Sequence, residues 1–316
     1  MISTVDVQRR TVTNGDVSLA VFETGNPDGE PIVLVHGWPD THDLWQYVVP
    51  QLSERFRVIS YDTRGAGEST VPARVSDYEL AALATDFRAV IDAVSPDAPV
   101  HVLAHDWGGV EVWEALATEN AASRVASFTV TSGPNLDILM HWVRDRFRRP
   151  TFSNLAGPLE QGLASYYTYL FQLPWLPEAV LRRVMAGNWA RFLGLFDGLD
   201  PARVKPAATI AEDMANGVNR YRANIARRLL RSQPKPTTVP VQVVINARDR
   251  AVRPSGYDDY GKFASQLWRR TIDSGHWSPI SNPDDLVRAT VEFIDMLGGA
   301  EASAELAEGR VSYSGE

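Results

Sequence analysis

A chain of 316 residues with 44% apolar and 22% charged side chains has the material for a large buried core. Its net charge of −8 argues against a nucleic-acid partner, and the lack of cysteine excludes disulfides and thiolate metal sites. The opening MISTVDVQRRTVTNGDV has no apolar stretch of signal-peptide type, and no run nears the roughly 20 apolar residues of a membrane span. The expectation is a cytoplasmic enzyme without an integral membrane segment.

In chain order, VSLAVFETG (17–25) follows the turn signal Asn14-Gly15-Asp16 and predicts a strand. PIVLVHG (31–37), FRVISYD (56–62) and APVHVLAHD (98–106) are short, continuous apolar runs, the pattern of strands buried on both faces. Between the last two, Leu80, Leu83, Phe87 and Ile91 recur at helical spacing over 77–94. RVASFTVTSG (124–133) predicts a further strand. Strands alternating with helices imply βαβ units and a mainly parallel sheet, an α/β fold.

From about 136 to 233 the pattern changes to helices: LDILMHWVRDRFRR, LEQGLASYYTYLFQ, EAVLRRVMAG and GVNRYRANIARRLLR, punctuated by prolines. The arginines there, Arg144, Arg146, Arg148, Arg149, Arg220, Arg222, Arg227, Arg228 and Arg231, read as solvated helix faces. Alternation resumes with TVPVQVVINARD (238–249), LWRRTIDSGH (267–276) and a helix over 283–297. The expected division is a core of residues 1–135 and 234–300, a helical insertion of 136–233, and a small, polar tail, 301–316, of linker or disordered type.

Ala104-His105-Asp106-Trp107-Gly108-Gly109 has the form small–x–nucleophile–x–small at a strand-to-helix junction. Such a turn strains the backbone at the central residue, exposes its side chain above the sheet, and puts the next N–H groups at a helix N-terminus, where they stabilise an anion. Read by itself, Asp106 is equally a helix N-cap. Asp249 in NARDRAVRP lies just past a strand, and His276 in SGHWSP lies in a loop after the next one, giving the order nucleophile, acid, histidine. In HGWP (36–39) a cis Trp38–Pro39 bond would aim the Trp38 N–H at a developing oxyanion. DTRGAGEST (62–70) reads as a glycine-shaped turn braced by Arg64.

With these residues in place, the chain resembles the α/β-hydrolase superfamily in its epoxide hydrolase and haloalkane dehalogenase branch, over about residues 15–297. The HGxP element, the DxRGxGxS loop, the HDWGG elbow, the late Asp and GHW fall in the family's order; Ala104 stands where Gly is common. HGWPD and LAHDWG also look like the hydrolase half of actinobacterial proteins that join an epoxide-hydrolase-like domain to a short-chain dehydrogenase domain. The resemblance implies an α/β-hydrolase fold with a helical cap, no metal or other cofactor, and a small apolar epoxide as substrate. It implies a catalytic set of Asp106, His276 and Asp249, with an acid near Asn135 and Asp137 as the alternative. Trp38 and Trp107 would form the oxyanion hole, and Trp38, Pro39, Trp107, Phe171 and Trp277 would line the substrate site.

Within that branch, YYTYLFQLP (166–174) and NRYRAN (219–224) resemble the segments carrying the two cap tyrosines of epoxide hydrolases, which makes Tyr167 and Tyr221 the donors to the epoxide oxygen. A carboxylate nucleophile needs no base to attack saturated carbon, and a phenol helps an alkoxide leave. Dehalogenases often carry Asn at the position of Trp38, and fluoroacetate-type relatives carry Arg shortly after the nucleophile, where this chain has Gly108-Gly109-Val110-Glu111. Haloalkane dehalogenation is the alternative reaction, with Trp107 as a halide donor, and an apolar-ligand-binding homologue without catalysis is the alternative of another class. The expected assembly is a monomer or homodimer, with a C-terminal short-chain dehydrogenase domain in the longer relatives.

Overall fold

A computed structural model of the chain describes residues 7–313. The first six residues of the segment read for a leader, and the last three of the tail, lie outside the described residues. The strands are β1 (Gln8–Asn14), β2 (Val17–Gly25), β3 (Pro31–Val35), β4 (Arg57–Tyr61), β5 (Val100–His105), β6 (Val125–Thr131), β7 (Val241–Asn246), β8 (Leu267–Ile272) and β9 (Arg310–Val311). They form one sheet in the order β1-β2-β4-β3-β5-β6-β7-β8-β9. The central pairs from β4 to β8 are parallel; β1–β2, β2–β4 and β8–β9 are antiparallel.

The continuous apolar runs are explained by apolar packing on both faces. Val33, Val35, Val102 and Ala104 belong to one cluster with Phe87, Val90 and Ile91 of the helix Leu80–Val94. Ile32, Leu34 and Leu103 belong to the cluster on the other side, with Trp45, Leu286 and Ala289. Strand β1 was not anticipated. Its sequence QRRTVTN is polar because it is an exposed edge, and it pairs with β2 across a turn in which Gly15 takes a φ of 58°.

The helices between β6 and β7 include Leu136–Arg148, Phe152–Ala164, Tyr166–Leu170, Leu176–Val180, Trp189–Phe196 and Ile210–Arg231. β6 and β7 are parallel neighbours, so the chain leaves the sheet and returns to an adjacent strand. LEQGLASYYTYLFQ breaks at Ser165 into two helices rather than one, and Pro158 sits inside Phe152–Ala164 instead of bounding it. That break starts a new helix just before Tyr167.

The tail departs from the linker or disorder expected of 301–316. Ser303 caps the helix Ala304–Gly309, Leu306 packs at 2% exposure against Trp268 and Phe293, and β9 pairs with β8 with Val311 opposite Leu267. A small, polar composition concealed two well-spaced apolar anchors.

Candidate active site

β5 ends at His105 and a helix begins at Trp107, so Asp106 alone makes the turn, with φ 50° and ψ −126°. A β-carbon at Gly108 would collide with the carbonyls of Val35 and His36, and one at Gly37 with Asp106 itself. These two glycines let the Gly37 loop lie directly over the Asp106 turn. The Trp38–Pro39 bond is cis, and the Trp38 N–H donates to Oδ1 of Asp106 at 2.8 Å. The Trp107 N–H also hydrogen-bonds this carboxylate.

His276 follows β8. Its Nδ1 lies 3.1 Å from both oxygens of Asp249, and its Nε2 lies 3.6 Å from Oδ2 of Asp106. Burial acts to raise the pKa of Asp106, but hydrogen bonding and charge from His276 outweigh it and hold the group below its ordinary value. Asp249 shows the same balance, with His276, Ser132 and the Val252 N–H opposing burial. Burial acts to lower the pKa of His276, yet the negative charges and hydrogen bonds of Asp249 and Asp106 hold it well above the ordinary imidazole value. These directions favour an imidazolium between two carboxylates in the resting site. Asp137 stands elsewhere, paired with Arg228 and accepting from the Gln233 N–H, and Asn135 caps the helix Leu136–Arg148. Of the acids considered, Asp249 is the one beside His276.

Two cavities meet at Asp106. One of about 420 Å³ and one of about 330 Å³ share Asp106, Tyr167, Tyr221 and Ala251 in their linings. The Tyr221 ring packs 4.9 Å from that of Trp107 and 5.8 Å from that of Tyr167. Burial, followed by the Asp106 charge, lifts the Tyr167 phenol above its ordinary range; burial, with Tyr167 and Asp106, does the same to Tyr221. Both phenols stay protonated across neutral pH. Trp107 lines the larger lobe, and Trp38, Phe171 and Trp277 line the smaller. Pro39 is a correction: it lines a separate small cleft with Thr41 and Leu44, because the Gly37–Asp40 turn presents Trp38 inward and its proline to the other side.

Several residues that hold the site were not singled out. Ser132, at φ 54°, donates to Asp249 at 2.7 Å, and the Ala251 and Val252 N–H groups donate to its other oxygen. Asp197, at the end of the helix Trp189–Phe196, accepts from the N–H groups of His276 at 2.6 Å and Trp277 at 2.9 Å. The glycine of SGHW fits this contact, since a β-carbon at Gly275 would collide with the Asp197 carboxylate. Arg220 corrects the solvated-face reading. It is 3% exposed, donates to Thr63 and the Arg64 carbonyl, and pairs with Glu111 at 3.4 Å. Arg64 braces its own loop, as read, through Asp86 and the Asp77 and Ala82 carbonyls.

Among the described residues no group of three or more His, Cys, Asp or Glu is placed to hold a metal ion, and no helix is long and apolar enough to cross a membrane. The chain is 41% identical over 98% of its length to a Mycobacterium tuberculosis protein named "Probable oxidoreductase EphD", of which it spans 53%. It is 24% identical to mouse "Epoxide hydrolase 3", covering 93% of this chain and 79% of that protein. The solved structure of a Bacillus megaterium epoxide hydrolase with an inhibitor shares the fold with a TM-score of 0.73 at 19% identity, over 90% of this chain and all of that one. The family model described as alpha/beta hydrolase fold matches residues 30–283. That match, over a sheet and nucleophile turn of this form, makes the chain a member of the alpha/beta hydrolase fold family.

Proposed function

We propose that the chain hydrolyses an apolar epoxide to a vicinal diol through an ester of Asp106. Oδ2 of Asp106 attacks an epoxide carbon; the C–O bond breaks, and the leaving oxygen takes a proton from the Tyr167 and Tyr221 pair. The ester removes the Asp106 charge. His276 gives up its proton, which by way of solvent restores the phenol, and then, oriented by Asp249, takes a proton from water, which attacks Cγ of Asp106. The Trp38 and Trp107 N–H groups hold the resulting oxyanion on Oδ1, the oxygen that the Trp38 N–H already contacts. Collapse expels the diol oxygen, which takes the proton from His276; the acid so formed on Asp106 passes its proton to His276, restoring the carboxylate and the imidazolium. The helices of 136–233 act as the cap over a core of 1–135 and 234–300.

The observation that carries this reading is the pair of phenols, Tyr221 buried and Tyr167 half-buried, that line both lobes with Asp106 and whose pKa values are raised. A leaving halide needs no proton. The N–H donors of a halide cradle are also engaged: the Trp38 indole donates to the Met214 carbonyl at 2.9 Å, and the Trp107 indole hydrogen-bonds Tyr221. Among the described residues, Asp106 and His276 are the only acidic or basic side chains facing the two lobes, which suits an uncharged chain with an arm on each side of the ring. The setting proposed is the cytoplasm, as monomer or homodimer. A short-chain dehydrogenase partner domain is part of the proposal, and the greater length of the mycobacterial relative leaves room for one.

Single turnover in heavy-oxygen water tests the scheme. Label is expected first on the Asp106 carboxylate and in the diol only after later turnovers. Label in the first-turnover diol overturns the ester route. Halide release from haloalkanes without diol from epoxides transfers the site to dehalogenation, and binding without turnover of either transfers it to a ligand carrier.

A further inference from the structure

The outer surface of the helical insertion is apolar where the two lobes open. Leu163 is 76% exposed and lines the larger lobe; Leu176 is 44% exposed and lines the smaller. A side chain that is both cavity wall and outer surface marks a mouth. The mouths adjoin along the helix Tyr166–Leu170, whose exposed Tyr169 lines the larger lobe and whose exposed Tyr166 and Leu170 line the smaller. Phe152 at 92% exposure starts the helix that carries Leu163, Trp175 at 73% precedes Leu176, and Leu230 at 75% follows the lobe-lining Leu229. Exposed apolar surface of this extent marks an interaction site.

Charge narrows the partner. Residues 136–233 contain fourteen Arg and Lys against eight Asp and Glu, a net +6 within a chain of net −8. Many of these arginines are spent internally, on Glu111, Asp137, Glu178 and Glu212. Others are not: Arg148, Arg149, Arg183 and Arg231 are among those that are exposed and, among the described residues, make no ion pair. Each lies within three residues of an exposed Phe, Val or Leu: Phe147 and Phe152, Val184, and Leu230. Apolar side chains interleaved with free cations match the layering of an anionic bilayer, hydrocarbon beneath phosphate. A second copy of the same face would set like charge against like.

We propose that this face of the insertion docks on an anionic lipid bilayer, with Phe152, Trp175 and Leu230 entering the interface and the free arginines on lipid phosphates. The mouths then face the membrane, and an apolar substrate passes into the cavity without crossing water. That delivery role rests on the epoxide reading; the docking does not.

Co-sedimentation of the purified chain with phosphatidylcholine vesicles, and with mixed phosphatidylcholine–phosphatidylglycerol vesicles, tests it. The chain is expected to partition onto the mixed vesicles, less onto the neutral ones, and to be released by salt. Phe152→Glu with Trp175→Glu should abolish partition onto both. Arg148→Gln with Arg149→Gln should weaken partition onto the anionic vesicles by about fivefold per arginine, leaving the neutral vesicles unaffected. Unchanged thermal melting shows that each variant folds. Failure of the wild type to sediment with either vesicle, or variants that bind as well as wild type, overturns the proposal. So does a dimer that Phe152→Glu with Trp175→Glu dissolves while vesicles are ignored. Hydrolysis of a water-soluble epoxide such as styrene oxide, run alongside, separates a failure of docking from a failure of the epoxide reading.

Discussion

The α/β core and the helical insertion contribute opposite electrostatic halves to one site. The core brings anions: Asp106 on the turn after β5 and Asp249 on the turn after β7, with His276 between them. The insertion brings neutral acids, Tyr167 and Tyr221, whose burial keeps their protons on. A carboxylate nucleophile and a proton donor serve each other poorly when free to pair directly. In the proposed scheme, holding them on separate bodies, across a cavity, keeps the nucleophile ionised and the donor protonated until a substrate bridges them. The site therefore depends on how the two bodies are locked. The contacts that do this nearest the site include Arg220 to Glu111 and Thr63, Asp197 to the His276 and Trp277 amides, and the Trp38 indole to the Met214 carbonyl.

Removing the insertion's half of the chemistry should have the largest effect. Tyr167→Phe or Tyr221→Phe takes away one donor and should cost about 2–4 kcal/mol of transition-state stabilisation in alkylation. The double change should nearly abolish ring opening. Ester hydrolysis, which needs only core residues, should be spared, and melting should stay near wild type because the ring is kept. Single-turnover kinetics on an epoxide separates the two steps. A double variant that opens epoxides normally would mean that the leaving oxygen takes its proton elsewhere.

Breaking the lock should cost stability first. Arg220→Met leaves Glu111 buried at 1% exposure with the Tyr61 hydroxyl, 2.6 Å away, as its remaining partner. Stranding a buried charge in this way costs about 3–5 kcal/mol. Burial has already pushed Glu111 up to about 7, so it can relieve the penalty by taking a proton. The loss should then be larger at about pH 8 than at about pH 6, and Glu111→Gln added to Arg220→Met should recover much of it. Chemical denaturation at the two pH values checks the ranking.

The core was legible because its physics is local. Runs such as PIVLV and VHVLAH need apolar side chains on both faces, so composition alone marks them as strands. The nucleophile turn shows itself through residues that must be small, and the acid and histidine through their place after strands. The insertion was less legible, since its helices owe their breaks and roles to contacts across the chain. Nothing local separates Arg220, which enters the core, from Arg231, which stays in solvent, although both stand in one helix. Asp197 could have been found only by asking what the glycine before His276 makes room for. The tail failed for a related reason: Leu306 and Val311 are too sparse to form a pattern, but each meets a partner supplied by the core.

Asp197 tests whether the insertion also steers the core's own half of the reaction. Asp197→Ala removes both acceptors for the His276 and Trp277 amides; Asp197→Asn keeps one oxygen. If Asp197 positions His276, ester hydrolysis should slow by about tenfold to a hundredfold in the Ala variant, since small misplacement of a catalytic group costs that much. The Asn variant should lie between it and wild type. Alkylation should change little, and mass spectrometry should find the Asp106 ester accumulating. Equal slowing of both steps would assign Asp197 a purely structural role.

The smallest effect expected is a shift in pH dependence between the two half-reactions, and its sign follows from the charges around His276. Asp249 and Asp106 together raise its pKa against the opposing pull of burial. The imidazolium therefore contributes stability that is fully present below the unfolded histidine value and is lost as pH rises through the elevated folded value. The lowered carboxyls act in the opposite direction, contributing stability that is lost as pH falls through their depressed values. Once Asp106 is esterified, one of the two anions holding the proton is gone, while Asp249 and burial remain. On the proposed route the imidazole pKa then falls, and the group becomes a base at the moment a base is required. The acid limb of ester hydrolysis should thus lie below the His276 titration measured by NMR in the resting enzyme. Asp106→Asn, which removes the same charge permanently, should lower that titration in the same direction. An acid limb that coincides with the resting titration would mean that the alkylated Asp106 leaves the imidazole's affinity for its proton unchanged, and the coupling between the two steps would have to be abandoned.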